Sequence, residues 1–214
     1  MIKLKKSAIP DVLKDNAAKW TTAVLEKLKQ SIELAKSEKN KYNHPSIKEA
    51  LVKETNGKCA YCESKILHIT YGDIEHITPK KIRPELWFDW DNLTLACDIC
   101  NTKKSSKEHI LDPYENDPAD RLLFIGPTIW PAPGDEISKY TIEELALNRE
   151  ALTEKRQEKI EYLMLMLDVI AKTNHPQLVE TLKSDFKSEL TDEKEFSGLA
   201  RCLASELTAK GFLT

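Results

Sequence analysis

Two pairs of cysteines constrain this chain more than anything else in it: Cys59-Ala-Tyr-Cys62 and Cys97-Asp-Ile-Cys100. A tight turn between such cysteines lets both thiolates face one ion, and two pairs complete a tetrahedral zinc shell. A site closed by four sulfurs has no open coordination position, so it serves folding rather than catalysis. Metal binding also adds folding free energy to a segment that can build only a small core. Between Cys62 and Cys97 lie 34 residues, more than a simple zinc ribbon holds. Something must fold inside that gap.

The rest of the composition narrows the class. The chain has 214 residues and a formal net charge of −3. Nucleic-acid binding through bulk electrostatics asks for a clearly basic protein. Any such contact here needs a local basic patch, a metal or a partner. No apolar run approaches the roughly 18–20 residues of a membrane span, so no membrane partner is expected. Met1 to Pro10 is basic and lacks the apolar core of a signal peptide, which points to the cytoplasm. In that compartment cysteines are metal ligands or core thiols rather than disulfides. The fifth, Cys202, sits alone in an apolar helical stripe and reads as a core thiol.

Periodicity divides the chain into four segments. In residues 1–57, Leu13, Ala17, Trp20, Val24, Leu28, Ile32 and Ala35 recur at helical steps, and Pro45 opens a second helix to about Glu54. Asn56-Gly57 is a turn signal. Residues 58–110 hold short β-like pieces and the cysteine pairs. Residues 111–140 are rich in proline and read as an irregular wrap. Residues 141–214 are helical, with starts at a Thr141–Glu144 capping box, at His175-Pro176 and at Thr191-Asp192, and a stop at Gly211. The apolar run Leu163 to Leu167 implies a helix buried on more than one side. The expected fold is mostly α with a small α+β core.

Inside the gap, Tyr71 to His76 reads as a strand ending in Glu75-His76 and broken by Pro79. Trp90 to Cys97 reads as a second strand, and Cys100-Asn-Thr-Lys-Lys104 as the start of a short helix. Strand, loop, strand and helix, clamped by zinc, make a ββα-metal unit. This arrangement resembles the HNH (His-Me finger) endonucleases that carry a four-cysteine zinc site. The resemblance covers Lys58 to about Lys107 and rests on the cysteines with Glu75, His76, Asn92 and Asn101. It implies His76 as general base, Asn92 as the residue holding the base loop, and Glu75 and Asn101 as ligands of a catalytic metal.

The chemistry independently suits those roles. Water attack on a phosphodiester needs a base that is neutral near pH 7, and imidazole fits. Carboxylate and amide oxygens favour Mg²⁺ or Mn²⁺, distinct from the sulfur-bound zinc. Glu75 departs from the family, which more often has Asp or His there. Asp73, two residues earlier on the same strand face, is not expected to coordinate directly.

Lys80, Lys81 and Arg83 follow the base, and Lys103, Lys104 and Lys107 lie on the helix. These are the candidate contacts to nucleic acid, although five acidic neighbours nearly cancel the six. Trp87, Phe88 and Trp90 are expected to plug a small core rather than to stack on bases. Leu111 to Pro118 and Leu147-Asn-Arg149 add a looser resemblance to the PtuB-type HNH subunits of Septu and related retron anti-phage systems. That resemblance implies a PtuA-type ABC/SMC-like ATPase partner, and in retron systems a retron nucleic acid. DNA is the usual HNH substrate, and RNA is open to the same chemistry. The rival from another class is a zinc-built binding module for nucleic acid or protein, without catalysis.

Overall fold

The computed structural model describes residues 1–213. Eight α-helices and two small antiparallel sheets follow in the order α1 (Asp11–Lys29), α2 (Lys36–Lys39), α3 (Pro45–Glu54), β1 (Asp73–His76), β2 (Leu93–Ala96), α4 (Asp98–Lys104), β3 (Leu122–Ile125), β4 (Thr128–Pro131), α5 (Glu136–Glu144), α6 (Glu150–Lys172), α7 (Pro176–Ser188) and α8 (Ser197–Ala209). The chain is mostly helical with little sheet, as its periodicity predicts.

The first helix stops earlier than its apolar repeat. The repeat runs to Ala35, but Ser31 adopts a left-handed conformation and the Ile32 amide bonds back to the Lys27 carbonyl. That is a helix-ending turn made without the glycine that usually announces it. α3 has the bounds its Pro45 start and Asn56-Gly57 turn imply, and both turn residues have positive φ.

β1 and β2 pair antiparallel, with Glu75 opposite Thr94 and His76 opposite Leu93. All four residues of β2 are buried, because α3 packs on that strand and α4 on β1. The main core draws on both ends and the middle of the chain, including Leu13, Ile47, Leu51, Phe88, Leu95, Leu147, Leu152 and Leu199, while α7 packs in a separate cluster with α6 and α8. The aromatics Trp87, Phe88 and Trp90 are buried in the main core.

Three expectations for the C-terminal half need correction. The stretch read as an irregular wrap contains the β3–β4 hairpin, turned by Gly126-Pro127. Its β4 backbone is clasped by Asn148, whose amide bonds both the Ile129 N–H (2.8 Å) and the Ile129 carbonyl (2.7 Å). Pro127 in the turn and Pro131 at the end of β4 break up the short alternation and hid the hairpin. α5 begins at Glu136, not at Thr141, because Asp135 caps it by accepting from the Ser138 N–H. Thr141 is instead buried within the helix, where its hydroxyl accepts from the Leu111 amide. α8 starts at Ser197 rather than near Thr191, after Phe196 turns into a left-handed conformation.

The apolar run in α6 is also less enclosed than its sequence implies. Leu163 is fully buried against Phe186, Ala200 and Ala204, while Met164, Leu165 and Val169 are exposed. Helices α7 and α8 cover only one side. Cys202 is half-buried, not a core thiol.

Candidate active site and metal centre

The four sulfurs of Cys59, Cys62, Cys97 and Cys100 lie within 4.8 Å of one another, and all four residues are buried. Zinc–sulfur bonds of about 2.3 Å in a tetrahedron give sulfur–sulfur edges of about 3.8 Å. The Cys62–Cys97 separation is 3.9 Å. The cluster therefore has the dimensions of a four-thiolate metal site. Cys97 caps α4, its sulfur accepting from the Cys100 N–H, so the metal-binding turn and the helix start are one feature.

Two arginines come to this cluster from outside the cysteine segment. Arg149, at the start of α6, donates to the Ala146 carbonyl at 3.3 Å, and against the opposing effect of burial the field of the Cys100, Cys62 and Cys97 sulfurs raises its guanidinium. Arg156, two turns further along, is 1% exposed, donates to the Pro127 carbonyl at 3.2 Å and leaves its second Nη without a partner. Burial pushes its guanidinium down to about 10, against the favourable field of the Cys62 thiol and Glu63. Four thiolates around a divalent ion carry a net charge of −2, which two guanidinium groups can offset.

A separate cavity of about 240 Å³ is lined by Glu75, His76 and Asn101, with Tyr42, Lys80 and Lys81 at its walls. β1 supplies Glu75 and His76, and α4 supplies Asn101. His76 is buried, and its Nε2 lies 2.9 Å from the Trp87 carbonyl oxygen. A carbonyl only accepts, so Nε2 carries the proton and Nδ1 holds the lone pair. Nδ1 has no hydrogen-bond partner among the described residues. Burial, helped by Lys80 and Lys104, pushes the imidazole down to about 4, so the ring is neutral at pH 7. The Tyr42 ring packs edge-on against it at 4.6 Å.

Asn92 clips the loop between the strands. Its Oδ1 accepts from the Thr78 N–H (2.7 Å), and its Nδ2 donates to the Thr78 (3.0 Å) and Leu86 (3.1 Å) carbonyls. The clip fixes both ends of the segment that presents the Trp87 carbonyl to His76.

Glu75 does not stand free. The Lys104 ammonium donates to Glu75 Oε1 at 2.9 Å and to the His76 carbonyl at 2.8 Å. Lys104 is completely buried, which corrects its expected place among the nucleic-acid contacts. Even with that partner, burial raises the Glu75 carboxyl above its ordinary value. Asn101 donates from Nδ2 to Asp73 Oδ2 at 2.8 Å, which leaves its Oδ1 without a partner among the described residues. Asp73 thus bonds the amide, while Glu75 and the Asn101 oxygen remain the donors at the cavity. That donor set suits a hard divalent cation with water.

The other basic candidates divide by exposure. Lys81, Arg83 and Lys103 are exposed, with Arg83 paired to Glu85. Lys107 is half-buried against Glu144 at 3.1 Å. Lys80 donates to the Tyr42 hydroxyl at 2.9 Å and lies over the Tyr42 and Trp87 rings. The sequence reading missed Tyr42, which lies outside the cysteine segment and carries no local signal. It also missed the role of Lys104, although three-residue helical spacing from Asn101 puts the two on one face.

Comparison with known proteins agrees with this geometry. The HNH endonuclease family model matches residues 59–107. Septu protein PtuB of Bacillus thuringiensis is 31% identical over 155 residues, covering 70% of this chain and 55% of that protein. Septu protein PtuB of Bacillus mycoides (strain KBAB4) is 33% identical over 150 residues, covering 54% of this chain and 51% of that protein. The chain spans about half the length of these relatives. No helix is long and apolar enough to cross a membrane among the described residues. The strand pair, the helix after it and the match across them make residues 59–107 an HNH endonuclease domain, in a chain similar over much of its length to the Septu PtuB proteins.

Proposed function

We propose that the protein is a metal-dependent nuclease that hydrolyses nucleic-acid phosphodiester bonds, with DNA as the favoured substrate and RNA open to the same chemistry. One observation carries the reading: a neutral His76, its Nε2–H held by the Trp87 carbonyl, stands at a cavity shared with Glu75 and Asn101. Nδ1 takes a proton from a water that attacks phosphorus, the P–O3′ bond breaks, and the leaving 3′-oxygen is protonated by solvent. Glu75 and Asn101 are the residues that would hold Mg²⁺ or Mn²⁺, which when bound stabilises charge on the phosphate oxygens. Asn92 keeps the loop closed, and the four cysteines, two of them at the start of α4, are the residues that would hold a structural zinc.

The similarity to PtuB proteins supports a place in anti-phage defence beside an ABC/SMC-like ATPase of the PtuA type. The weak net charge fits a nuclease whose substrate is delivered by such a partner. A retron nucleic acid is a further component in systems of the related kind.

The test is cleavage of plasmid, single-stranded DNA and total RNA with Mg²⁺ or Mn²⁺, alone and with a co-purified ATPase. His76→Ala is expected to stay folded and zinc-loaded while losing roughly 10²–10⁴-fold in rate. Cleavage by His76→Ala at the parent's rate removes His76 as the base. Nucleic-acid binding with no cleavage under any condition favours a binding module.

A further inference from the structure

A second cavity, of about 410 Å³, opens beside the first and shares Tyr42, Ile74 and Asn101 with it. Its rim carries Tyr71, which is 91% exposed, the most exposed of the large apolar and aromatic side chains among the described residues. The aromatics nearer the base, Trp87, Phe88 and Trp90, are buried and have no face for a ligand. Tyr42, shared by both cavities, is half-buried with its ring packed on His76, which leaves Tyr71 as the fully exposed ring beside the site.

Its backbone is not loose. The Gly72 N–H donates to Thr70 Oγ1 at 2.9 Å, and the Lys48 ammonium donates to the Gly72 carbonyl. Gly72 has φ +63°, and a Cβ there would meet Ile66 Cδ1 at 2.6 Å. The chain is thus tied down on the C-terminal side of a ring held in water. Ordering a large amphipathic ring without burying it gains nothing for the fold. A ring of that kind, carried on a fixed backbone at the mouth of a cleft with both faces free, is what a base-stacking platform requires. Lys48, half-buried in the same wall, keeps N–H donors beyond the one used on Gly72 and can meet a phosphate.

We propose that this second cavity is a nucleotide subsite flanking the scissile phosphate, in which Tyr71 stacks on an unpaired base. The assignment rests on the nuclease reading and deepens it: the strand entering the site is single-stranded or locally opened. The strand direction separates Tyr71 from His76 by up to about 16 Å, so the stacked base neighbours the cleaved linkage rather than belonging to it.

The experiment uses the full chain carrying His76→Ala, which leaves the strand intact. Short oligonucleotides containing 2-aminopurine are titrated as single-stranded DNA, single-stranded RNA and blunt DNA duplex. Adding Tyr71→Ala is expected to weaken single-strand binding roughly tenfold and to abolish quenching of the probe. Tyr71→Phe keeps both, and duplex binding is unchanged. Which single strand shows the loss identifies the sugar. Unchanged single-strand affinity in Tyr71→Ala overturns the subsite and leaves the nuclease reading standing. An equal loss for duplex and single strand also overturns it, since stacking on an unpaired base would then not be the cause. The titrations are run on the His76→Ala chain alone and with the co-purified ATPase, and no binding of any nucleic acid in either form overturns the nuclease reading and the subsite together.

Discussion

Lys104 lies wholly beneath the surface with its ammonium between the Glu75 carboxylate and the His76 carbonyl. Breaking one side of a buried ion pair leaves the other charge in low dielectric without a partner. Lys104→Met is therefore expected to destabilise the fold by about 3–5 kcal/mol. Lys104→Met with Glu75→Gln should recover much of that loss, because the stranded carboxylate is gone. Urea midpoints of the single and double variants measure the coupling, and equal midpoints would deny it.

His76 titrates near 4 in the folded chain and near 6.5 when exposed. Between those values the unfolded chain binds the extra proton and the native chain does not, so stability falls as pH falls through the window. The loss is on the order of 3 kcal/mol from pH 7 to pH 4. His76→Gln is expected to flatten this limb. Unfolding curves of parent and variant from pH 7 to pH 4 supply the difference.

Arg156 is buried beside the thiol cluster with one nitrogen unpaired. Arg156→Met preserves bulk and removes the charge. With zinc in the cysteine site, the variant is expected to lose metal to a chelator with roughly 10- to 100-fold weaker retention. Zinc release followed by a colorimetric indicator reads this directly, independent of any cleavage.

Asn92→Ala removes three hydrogen bonds that close the loop after β1. The Thr78 amide and the Thr78 and Leu86 carbonyls must then find water, at a cost of about 1–3 kcal/mol. Amide hydrogen exchange should rise across residues 77–91 while α6 to α8 keep their protection. Uniform exchange across the chain would mean that the clip serves global folding instead.

What the sequence revealed and what it hid follow physical lines. The cysteine spacing, the Pro45 helix start and the strand ending at His76 are local signals, and the structure has each of them. Signals of the same local kind failed where a neighbour won. Thr141 has the pattern of a cap but is held inside α5 by the Leu111 amide, and Asp135 takes the cap. Leu163 to Leu167 is apolar throughout, yet packing partners reach only one face. Of the candidate site, Glu75, His76 and Asn101 do line one cavity. The partners that give them their properties come from far along the chain: Tyr42 from before the cysteines, and the arginines at the thiols from α6. No short-range pattern records such contacts.

The main core also bears on how a domain like this can be inherited. Residues 59–107 are the stretch recognisable as a unit of descent, but Ile47, Leu51, Leu147 and Leu152 close the hydrophobic interior around them. A recombination that moved the matched stretch alone would carry over the matched sequence and leave behind part of the interior it folds against. The unit that natural selection can exchange intact is larger than the unit that sequence comparison names.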